Sequence, residues 1–240
     1  MKGIILAGGN GTRLHPLTKV ISKHLLPVYD KPMIYYPIQT LEDIGVNEIL
    51  IISTERDLPL YQKLLENEEW GIKFYYKVQK EPKGIAEALI LGEEFIGKDP
   101  FILMLGDNLV ISDSFNKHVK QAFSNNDGAT IFGIETNNPS AFGIAEIDGD
   151  NKVISIDEKP ANPKSNIAVI GIYIYNNNAV NYAKQLKPSK RGELEITDIN
   201  KMYLEQQTLK LFKIEDARWF DTGTIENLYE AASYIKSLDK

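Results

Sequence analysis

The first hundred residues alternate between two hydrophobic patterns. Apolar runs of strand length occur at residues 2–7, 48–52, 73–78 and 101–105. Between them, residues 33–44 and 85–96 place apolar side chains at helical spacing, and Gly45 after the first of these segments is typical of a helix end. Regular alternation of strand and helix patterns predicts an α/β fold with a largely parallel sheet.

The second half of the chain is less regular but still mixes the two patterns. Residues 142–147 and 153–157 predict a β-hairpin, whose turn we assign to Asp148-Gly149 because Asp-Gly supplies positive φ angles. A β-branched and aromatic run at residues 167–175 predicts a buried strand. Further predicted elements are helices at 195–206 and 224–238 and a strand at 209–214.

Composition places the chain among ordinary globular proteins. Its 240 residues are 43% hydrophobic and 25% charged, which excludes disordered, collagen-like and coiled-coil classes. No internal repeat, low-complexity tract or proline-rich linker divides the sequence. We therefore expect a single domain over residues 1–240, with a lid-like β insertion near residues 135–165.

Charge and residue usage exclude several function classes. The 27 lysines and arginines stand against 33 acidic residues, and the net charge of −6 argues against nucleic-acid and anionic-membrane binding. With no cysteines and only three scattered histidines, thiol chemistry, zinc–cysteine sites and iron–sulfur clusters are excluded. The N-terminus lacks a secretory apolar core and no apolar run is long enough to span a bilayer, so we expect a cytoplasmic protein.

A glycine-rich turn, from Leu6 to Leu14, follows the first predicted strand. Glycines let backbone N–H groups approach a phosphate chain, and Arg13 adds a charged fork suited to phosphate oxygens. Leu14 stands where the dinucleotide fingerprint requires its third glycine, and no P-loop Gly-Lys-Ser/Thr follows. An ordinary glycine-rich turn is the alternative, but Arg13 and the nearby Lys23 favour phosphate binding.

Two aspartates lie where an α/β fold places ligand-binding groups. Asp107 comes directly after the strand at 101–105, and carboxyl ends of strands face the ligand crevice, so it is well placed to hold a divalent cation. Asp221 precedes the last predicted helix, where capping by Asp221 or Thr222 is the alternative. Two carboxylates beside a phosphate-binding loop together predict a magnesium–nucleotide site.

Two further polar segments are suited to the hydroxyls and phosphate of a sugar. They are Glu158-Lys159-Pro160 at the end of the hairpin and residues 191–198 at the start of a helix. A charged hairpin end and a capped surface helix are simpler explanations of the same residues. The residue types alone favour these simpler explanations.

Six segments in chain order resemble the sugar-phosphate nucleotidylyltransferases, and among these the members that use a thymidine nucleotide. The segments are residues 6–14, 22–33, 106–108, 158–160, 192–198 and 221–224. Because the resemblance runs from Met1 to about Leu238, it is far more specific than any single motif. It implies an α/β, Rossmann-like nucleotidyltransferase fold with a mixed, mostly parallel central sheet and helices on both faces.

The reaction implied by this resemblance is Mg²⁺-dependent transfer of a nucleotidyl group from dTTP to glucose 1-phosphate. It yields dTDP-glucose and pyrophosphate by direct displacement at the α-phosphorus. A sugar phosphate is already an anionic nucleophile at neutral pH, so no general base or covalent intermediate is needed. The expected partners are a nucleoside triphosphate and a sugar 1-phosphate, without nucleic acid or membrane and with homo-oligomerisation left open.

The resemblance also implies a role for each matching residue. The nucleotide side comprises Leu6, Gly8, Gly9, Gly11, Thr12, Arg13, Gln79 and Gly84, the last two reading the base. The sugar-phosphate side comprises Gly143, Glu158, Lys159, Val169, Glu193 and Glu195. Catalysis is assigned to Arg13, Lys23 and Asp107, and Mg²⁺ binding to Asp107 and Asp221.

The chain departs from the family pattern at several positions, two of them near the expected base pocket. His24 stands where we expect glutamine, residues 79–84 differ from the usual Gln-Pro-x-Pro-x-Gly, and Phe142 replaces a tyrosine. The chain ends at Lys240 without the C-terminal extension of many relatives, so we expect a downstream nucleotide-sugar to inhibit only by competition at the active site.

Three alternatives remain beside this function. The first is a relative that uses UTP or another sugar 1-phosphate. The second is a non-catalytic nucleotide-sugar sensor, which is disfavoured because Lys23 and both metal-binding aspartates are intact. The third is a nicotinamide oxidoreductase, against which Leu14 argues.

Overall fold

The computed structural model describes residues 1–66 and 68–239. Its strands are β1 Lys2–Leu6, β2 Pro27–Val28, β3 Lys31–Pro32, β4 Glu48–Ser53, β5 Lys73–Val78, β6 Phe101–Leu105, β7 Asn108–Ile111, β8 Ala129–Glu135, β9 Gly143–Ile147, β10 Val153–Glu158, β11 Ile167–Tyr175, β12 Leu209–Lys213 and β13 Arg218–Asp221. Its α-helices are α1 Tyr35–Ile44, α2 Leu58–Leu65, α3 Glu87–Leu91, α4 Glu93–Ile96, α5 Phe115–Ser124, α6 Asn178–Gln185, α7 Ile196–Glu205 and α8 Ile225–Leu238.

The main sheet has the strand order β10-β9-β11-β6-β1-β4-β5, with β8 and β12 joined to it through β11. β1 lies at the centre of the parallel part, between β4 and β6, and β5 extends this part to the edge. β11 runs antiparallel to β6, β8 and β9, whereas β12 pairs with β8 in parallel. The α/β fold with a mixed central sheet expected from the sequence is confirmed.

Helices cover both faces of this sheet because side chains of the central strands alternate in direction. On β1, Ile4 packs into the core formed with α3, α6 and α7, whereas Ile5 packs into the opposite core formed with α1, α2 and α5. Both isoleucines are fully buried. Within residues 1–66 and 68–239, no helix is long and apolar enough to cross a membrane.

A small sheet of β7 and β13 stands beside the main sheet. Its antiparallel register places Asn108 opposite Asp221. The last helix, α8, packs against β2 and this small sheet through Ala231 and Ile235. The fold thus brings the end of β13 next to the end of β6, although more than a hundred residues separate them in the chain.

The hairpin of β9 and β10 forms one edge of the main sheet. Its antiparallel register sets Gly143 opposite Glu158, at the open end of the hairpin. The residues near 135–165 contain this hairpin, and their action as a lid stays a prediction.

The helical pattern at residues 85–96 is confirmed, but it is divided into two short helices, α3 and α4, because the backbone leaves the helical conformation at Gly92 (φ −87°, ψ 0°), where it packs closely against Ile4. One local expectation is wrong. In the hairpin turn, the positive φ lies at Asn151 (61°) and not at Gly149. The Asp148 carboxylate accepts two backbone N–H groups at 2.9 Å each and so stabilises a longer loop.

Candidate functional site

The carboxyl ends of β1 and β6 lie side by side at the floor of a crevice. Leu6 is in register with Leu105, and the Gly106 N–H donates to Leu6 O at 3.0 Å. Because the two strands are parallel, the glycine-rich turn after β1 and Asp107 after β6 leave the sheet together. The fold therefore joins two motifs that the sequence shows separately.

The turn after β1 uses its glycines for conformation and for space. Gly9 and Gly11 have φ angles of 91° and 57°, in the left-handed region that favours glycine. At Gly8, a Cβ would collide with the Gln79 side chain. The turn therefore keeps its backbone close to Gln79, and a 3₁₀ turn at Thr12–Leu14 then carries Arg13 into the crevice.

Two adjoining cavities open in this crevice. The loop cavity, of about 300 Å³, lies against the glycine-rich turn. The hairpin cavity, of about 190 Å³, lies against the open end of the β9–β10 hairpin. The residues that line both are Arg13, Ile85, Leu105, Asp107 and Glu193. Ligands in the two cavities would therefore meet at the same charged side chains.

Most of the residues singled out in the sequence line these cavities. Around the loop cavity are Leu6, Gly8, Gly9, Arg13, Lys23, Gln79, Gly84 and Asp107. Around the hairpin cavity are Gly143, Glu158, Lys159, Val169, Glu193, Glu195 and Asp221. Gly11 and Thr12 line neither cavity in the described part of the chain. The Thr18 hydroxyl donates to Gly11 O at 2.6 Å, which gives Gly11 a structural role in the turn.

Lys23 and Asp107 form a direct ion pair at the wall of the loop cavity. Their side chains are only 14% and 12% exposed, so the pair is largely shielded from water. Burial alone would raise the pKa of Asp107, but the attraction of Lys23 and hydrogen bonds from Lys23 and Asn108 act together against burial, and this pKa lies below its usual value. Asp107 is therefore an anion at neutral pH and Lys23 its counter-ion.

Asp221 completes a pair of carboxylates. Burial and the neighbouring Asp107 carboxylate raise the pKa of Asp221, while Lys23 and Arg13 oppose this rise. Thr222 fixes the two strand ends together, since its N–H and its hydroxyl both donate to Asp107 O, at 3.0 Å and 2.8 Å. Two crowded carboxylates of this kind are stabilised by a divalent cation.

Helix capping does not explain Asp221. The residue that caps α8 is Thr224, whose hydroxyl accepts the Asn227 N–H at 3.2 Å. The backbone carbonyl of Asp221 accepts the Asn227 side-chain amide at 2.7 Å, so its carboxylate is left to face the hairpin cavity. Within residues 1–66 and 68–239, no cluster of three or more acidic or histidine side chains forms a metal site. Further ligands of a cation held by Asp107 and Asp221 would be substrate oxygens and water.

Charged groups from the end of β10 and from the segment before α7 meet in the hairpin cavity. The Arg191 guanidinium lies 2.7 Å from a Glu195 carboxylate oxygen, 3.0 Å from one of Glu193 and 3.6 Å from one of Glu158. Burial would raise the pKa of Glu195, but hydrogen bonds from Arg191 and Ser189 hold it below its usual value. These residues thus form a network at the cavity, and not an ordinary helix cap or hairpin end.

Arg191 and Asn108 line the hairpin cavity, although sequence reasoning gave neither residue a role. Asn108 Oδ1 accepts the Trp219 indole N–H at 2.8 Å and the Gly171 N–H at 2.9 Å, while its amide donates to Asp107 at 3.2 Å. Its place directly after Asp107 was the signal that pointed to it. Arg191 lies in the polar segment 191–198, but its contact with Glu158 had no signal in the sequence because the two residues are far apart in the chain.

His24, the departure from the family pattern, lines the loop cavity beside Asp107. It is only 1% exposed. Burial, and to a lesser extent the neighbouring Lys23 charge, lower the pKa of His24 from 6.5 to about 3. Its ring is therefore neutral at physiological pH, and it is the Lys23 ammonium that supplies positive charge to this wall.

Known proteins match this chain over nearly its full length. Residues 2–237 match the family described as Nucleotidyl transferase. The glucose-1-phosphate thymidylyltransferase of Neisseria meningitidis is 50% identical over 240 residues, which cover 99% of this chain and 83% of the relative.

Solved structures share the fold described above. A Bacillus anthracis structure described as a glucose-1-phosphate thymidylyltransferase in complex with a sucrose has a TM-score of 0.90 at 42% identity, and the match covers 98% of this chain and 94% of that one. A UDP-glucose pyrophosphorylase complexed with UDP-glucose has a TM-score of 0.86 at 27% identity, with 98% of both chains covered. By sequence and by fold, this chain belongs to the nucleotidyl transferase family.

Proposed function

We propose that the protein transfers a thymidylyl group from dTTP to glucose 1-phosphate, giving dTDP-glucose and pyrophosphate. The observation that carries this proposal is the meeting of two cavities at Arg13 and Asp107, in a chain 50% identical to a thymidylyltransferase over nearly its whole length. Two cavities with shared charged residues suit a reaction that joins two phosphorylated substrates.

The loop cavity takes the nucleotide. Backbone N–H groups at Gly8 and Gly9, with the Arg13 guanidinium, are suited to the triphosphate. The Gln79 side chain lines the same cavity next to Gly8, and its amide donates to Glu87 at 2.8 Å, which holds it in one orientation. With its orientation fixed, the Gln79 carbonyl is available as an acceptor for an N–H on the edge of a base.

The hairpin cavity takes the sugar phosphate. The Glu158 carboxylate lines this cavity and accepts the Thr197 hydroxyl at 2.5 Å. An ionised carboxylate has further acceptor positions, so Glu158 can also accept hydrogen bonds from sugar hydroxyls. Lys159 and Arg191 line the same cavity and supply positive charge for the phosphate. This arrangement accounts for the mixture of acidic and basic side chains around one small cavity.

The reaction needs positioning and charge stabilisation, and no side-chain nucleophile. An oxygen of the sugar phosphate forms a bond to the α-phosphorus while the bond to the bridging α–β oxygen breaks and its electrons leave with pyrophosphate. Arg13 and Lys23 oppose the negative charge that builds up between the two anions. The neutral His24 ring is not required as a base, because the attacking phosphate is already ionised.

Mg²⁺ fits the pair formed by Asp107 and Asp221. Burial and the Asp107 carboxylate raise the pKa of Asp221, so a cation placed between the two carboxylates would relieve their repulsion. The other ligands of this cation would be substrate phosphates and water. When bound, the ion would act as a Lewis acid at the reacting phosphate. In its absence, Lys23 is the counter-ion of Asp107 and holds this carboxylate in place.

A panel assay of pyrophosphate release tests the proposal. Purified protein is supplied with dTTP, UTP, ATP or GTP against glucose, galactose and mannose 1-phosphates, with Mg²⁺ present. We expect the highest kcat/KM with dTTP and glucose 1-phosphate. A higher kcat/KM with UTP would move the assignment to the alternative substrate, and binding of dTDP-glucose without turnover of any pair would identify a sensor.

A further inference from the structure

The Nδ1 edge of the His24 ring is enclosed by two hydroxyl groups. Ser22 Oγ lies 3.1 Å from His24 Nδ1, and the Tyr61 hydroxyl lies 3.3 Å from it. The two hydroxyls are 2.7 Å apart, so they also bind each other. All three side chains are almost fully buried, so their hydrogen bonds are protected from competition with water.

The opposite edge of the ring faces the loop cavity. A Cβ placed at Gly106 would lie 3.2 Å from His24 Nε2, which puts this nitrogen beside the strand end that carries Asp107. In the part of the chain that the structure describes, no hydrogen bond reaches Nε2. Since the ring lines the cavity, Nε2 is the atom available to a bound ligand.

The arrangement of the hydroxyl donors decides which ring nitrogen carries hydrogen. The Tyr61 hydroxyl lies 2.7 Å from Ser22 Oγ but 3.4 Å from Ala7 O, which also accepts the Ser53 hydroxyl at 2.8 Å. Because the contact with Ser22 is much the shorter, Tyr61 donates to Ser22 Oγ, and Ser22 donates its own proton to Nδ1. A neutral ring that accepts at Nδ1 carries its hydrogen on Nε2.

We propose that Tyr61 and Ser22 are positioning residues that fix His24 as the Nε2–H tautomer, so that this N–H donates a hydrogen bond to an oxygen of the bound nucleotide. The identity of the ligand rests on the proposed function, whereas the tautomer does not. Lys23 lies between Ser22 and His24 in the 3₁₀ turn Lys23–Leu25, so the same contacts also hold the backbone that carries Lys23.

Nitrogen-15 spectra of the ligand-free protein test the tautomer directly. The chain has three histidines, so comparison with His24→Gln assigns the His24 signals. At pH 7 we expect a shift typical of an unprotonated nitrogen at Nδ1 and of a protonated nitrogen at Nε2. A proton on Nδ1, or an even mixture of the two tautomers, would overturn the proposal.

The variant Ser22→Ala/Tyr61→Phe removes both hydroxyls, and in its spectra we expect a mixture of the two tautomers. An unchanged single tautomer in this variant would remove Ser22 and Tyr61 from the positioning role.

Steady-state kinetics test the donated hydrogen bond. The Ser22→Ala/Tyr61→Phe variant should raise KM for dTTP on the order of tenfold while KM for glucose 1-phosphate stays unchanged. In a His24→Ala background the same pair of substitutions should add nothing, because both hydroxyls act through the ring. Tyr75→Phe is a matched control, since it removes a hydroxyl bound to Glu48 at 3.0 Å outside both cavities. The inference is wrong if the Ser22→Ala/Tyr61→Phe variant folds and its KM for dTTP is unchanged. It is also wrong if the two substitutions raise this KM equally in the His24→Ala background.

A failure of the proposed function can be told apart from a failure of the tautomer proposal. A wild-type protein without turnover on any substrate pair would overturn that function, while the spectra of the ligand-free protein would still decide the tautomer. Addition of dTTP, with binding followed by calorimetry, should move the His24 Nε2 signal. If dTTP binds and this signal does not move, the hydrogen bond to the nucleotide is wrong.

Discussion

The Lys23 ammonium and the Asp107 carboxylate pair directly beneath the glycine-rich turn, with both side chains largely buried. Each comes from a different motif, since Lys23 lies in the 3₁₀ turn Lys23–Leu25 and Asp107 follows β6. A buried ion pair of this kind adds little to stability, because desolvation offsets the attraction. What the pair does is hold one cation and one anion at fixed positions on the wall of the loop cavity.

Asp107→Asn should therefore affect turnover far more than folding. The backbone carbonyl of residue 107 keeps both hydrogen bonds from Thr222, so the strand end stays in place. We expect kcat to fall by about 100-fold, or about 3 kcal/mol, because one carboxylate of the reacting centre is lost. Pyrophosphate release at saturating Mg²⁺ measures this. Asp99→Asn, which alters an exposed carboxylate paired with Lys2, is the control. Near-normal turnover of Asp107→Asn would remove Asp107 from the metal role.

Arg13→Ala should lower kcat/KM for both substrates. The Arg13 side chain lines both cavities, so it is placed to contact the nucleotide and the sugar phosphate. We expect a loss of at least about tenfold, since solvent cannot replace a guanidinium that binds phosphate oxygens in two directions. Arg218→Ala is the matched control, because Arg218 is exposed and packs over the Tyr234 ring outside both cavities. Unchanged kinetics in Arg13→Ala would leave the glycine-rich segment as an ordinary turn.

We expect dTTP and UTP both to be used, with dTTP preferred. The two nucleotides differ at the C5 methyl group and the 2′-hydroxyl, and contact with one methyl is worth only about 1 to 3 kcal/mol. Apolar side chains of Leu6, Pro82 and Ile85 line the loop cavity and suit such a contact. Competition between the two nucleotides, with kcat/KM as the measure, checks this. Rejection of dTTP, or equal use of purine nucleotides, would place the base outside the pocket around Gln79.

The sequence predicts those parts of the fold in which local pattern and tertiary packing agree. The strand at 167–175 matches β11 because every residue of this run is buried, so an unbroken apolar pattern marks both its ends. The end of α1 at Gly45 is also confirmed, since a left-handed φ of 98° at this position favours glycine. Helix α5 was missed although the sequence carries a signal for it, since Phe115, Val119, Ala122 and Phe123 recur at helical spacing and pack against one core.

The candidate site is predictable only as far as its motifs are continuous in sequence. Asp107 and the glycine-rich turn each follow a buried strand, and this local signal is sufficient to single them out. The contact of Arg191 with Glu158 depends on tertiary packing that brings the segment before α7 to the end of β10. The tautomer of His24 depends on Tyr61, which lies on α2 and carries no local sign of a role at the crevice.

Acid should destabilise the protein through His24. Burial, followed by the Lys23 charge, lowers the pKa of His24 from 6.5 to about 3, so the unfolded chain binds a proton that the folded protein excludes. Stability from this residue is present above pH 6.5 and is lost as the pH falls from 6.5 towards 3, by about 1.4 kcal/mol per pH unit. Urea unfolding at several pH values in this window should show a smaller loss for His24→Gln than for the wild type. His15→Gln, at an exposed position, is the control, and an identical pH dependence in all three proteins would contradict the prediction.

Gly84→Ala should destabilise the junction between the two cavities. Gly84 has a φ of 105°, and a Cβ there would lie 2.6 Å from Leu194 N and 3.0 Å from Leu194 C. The Leu194 N–H donates to Lys83 O at 2.6 Å, so these segments cannot separate without losing a hydrogen bond. We expect the free energy of unfolding to fall by more than about 3 kcal/mol, with a higher KM for dTTP. Gly97→Ala is the matched control, because Gly97 has a φ of 61° and open space around its Cβ position, so only the conformational cost of about 1 to 3 kcal/mol remains. Equal losses in the two variants would show that φ alone, and not contact with Leu194, sets the requirement for glycine at residue 84.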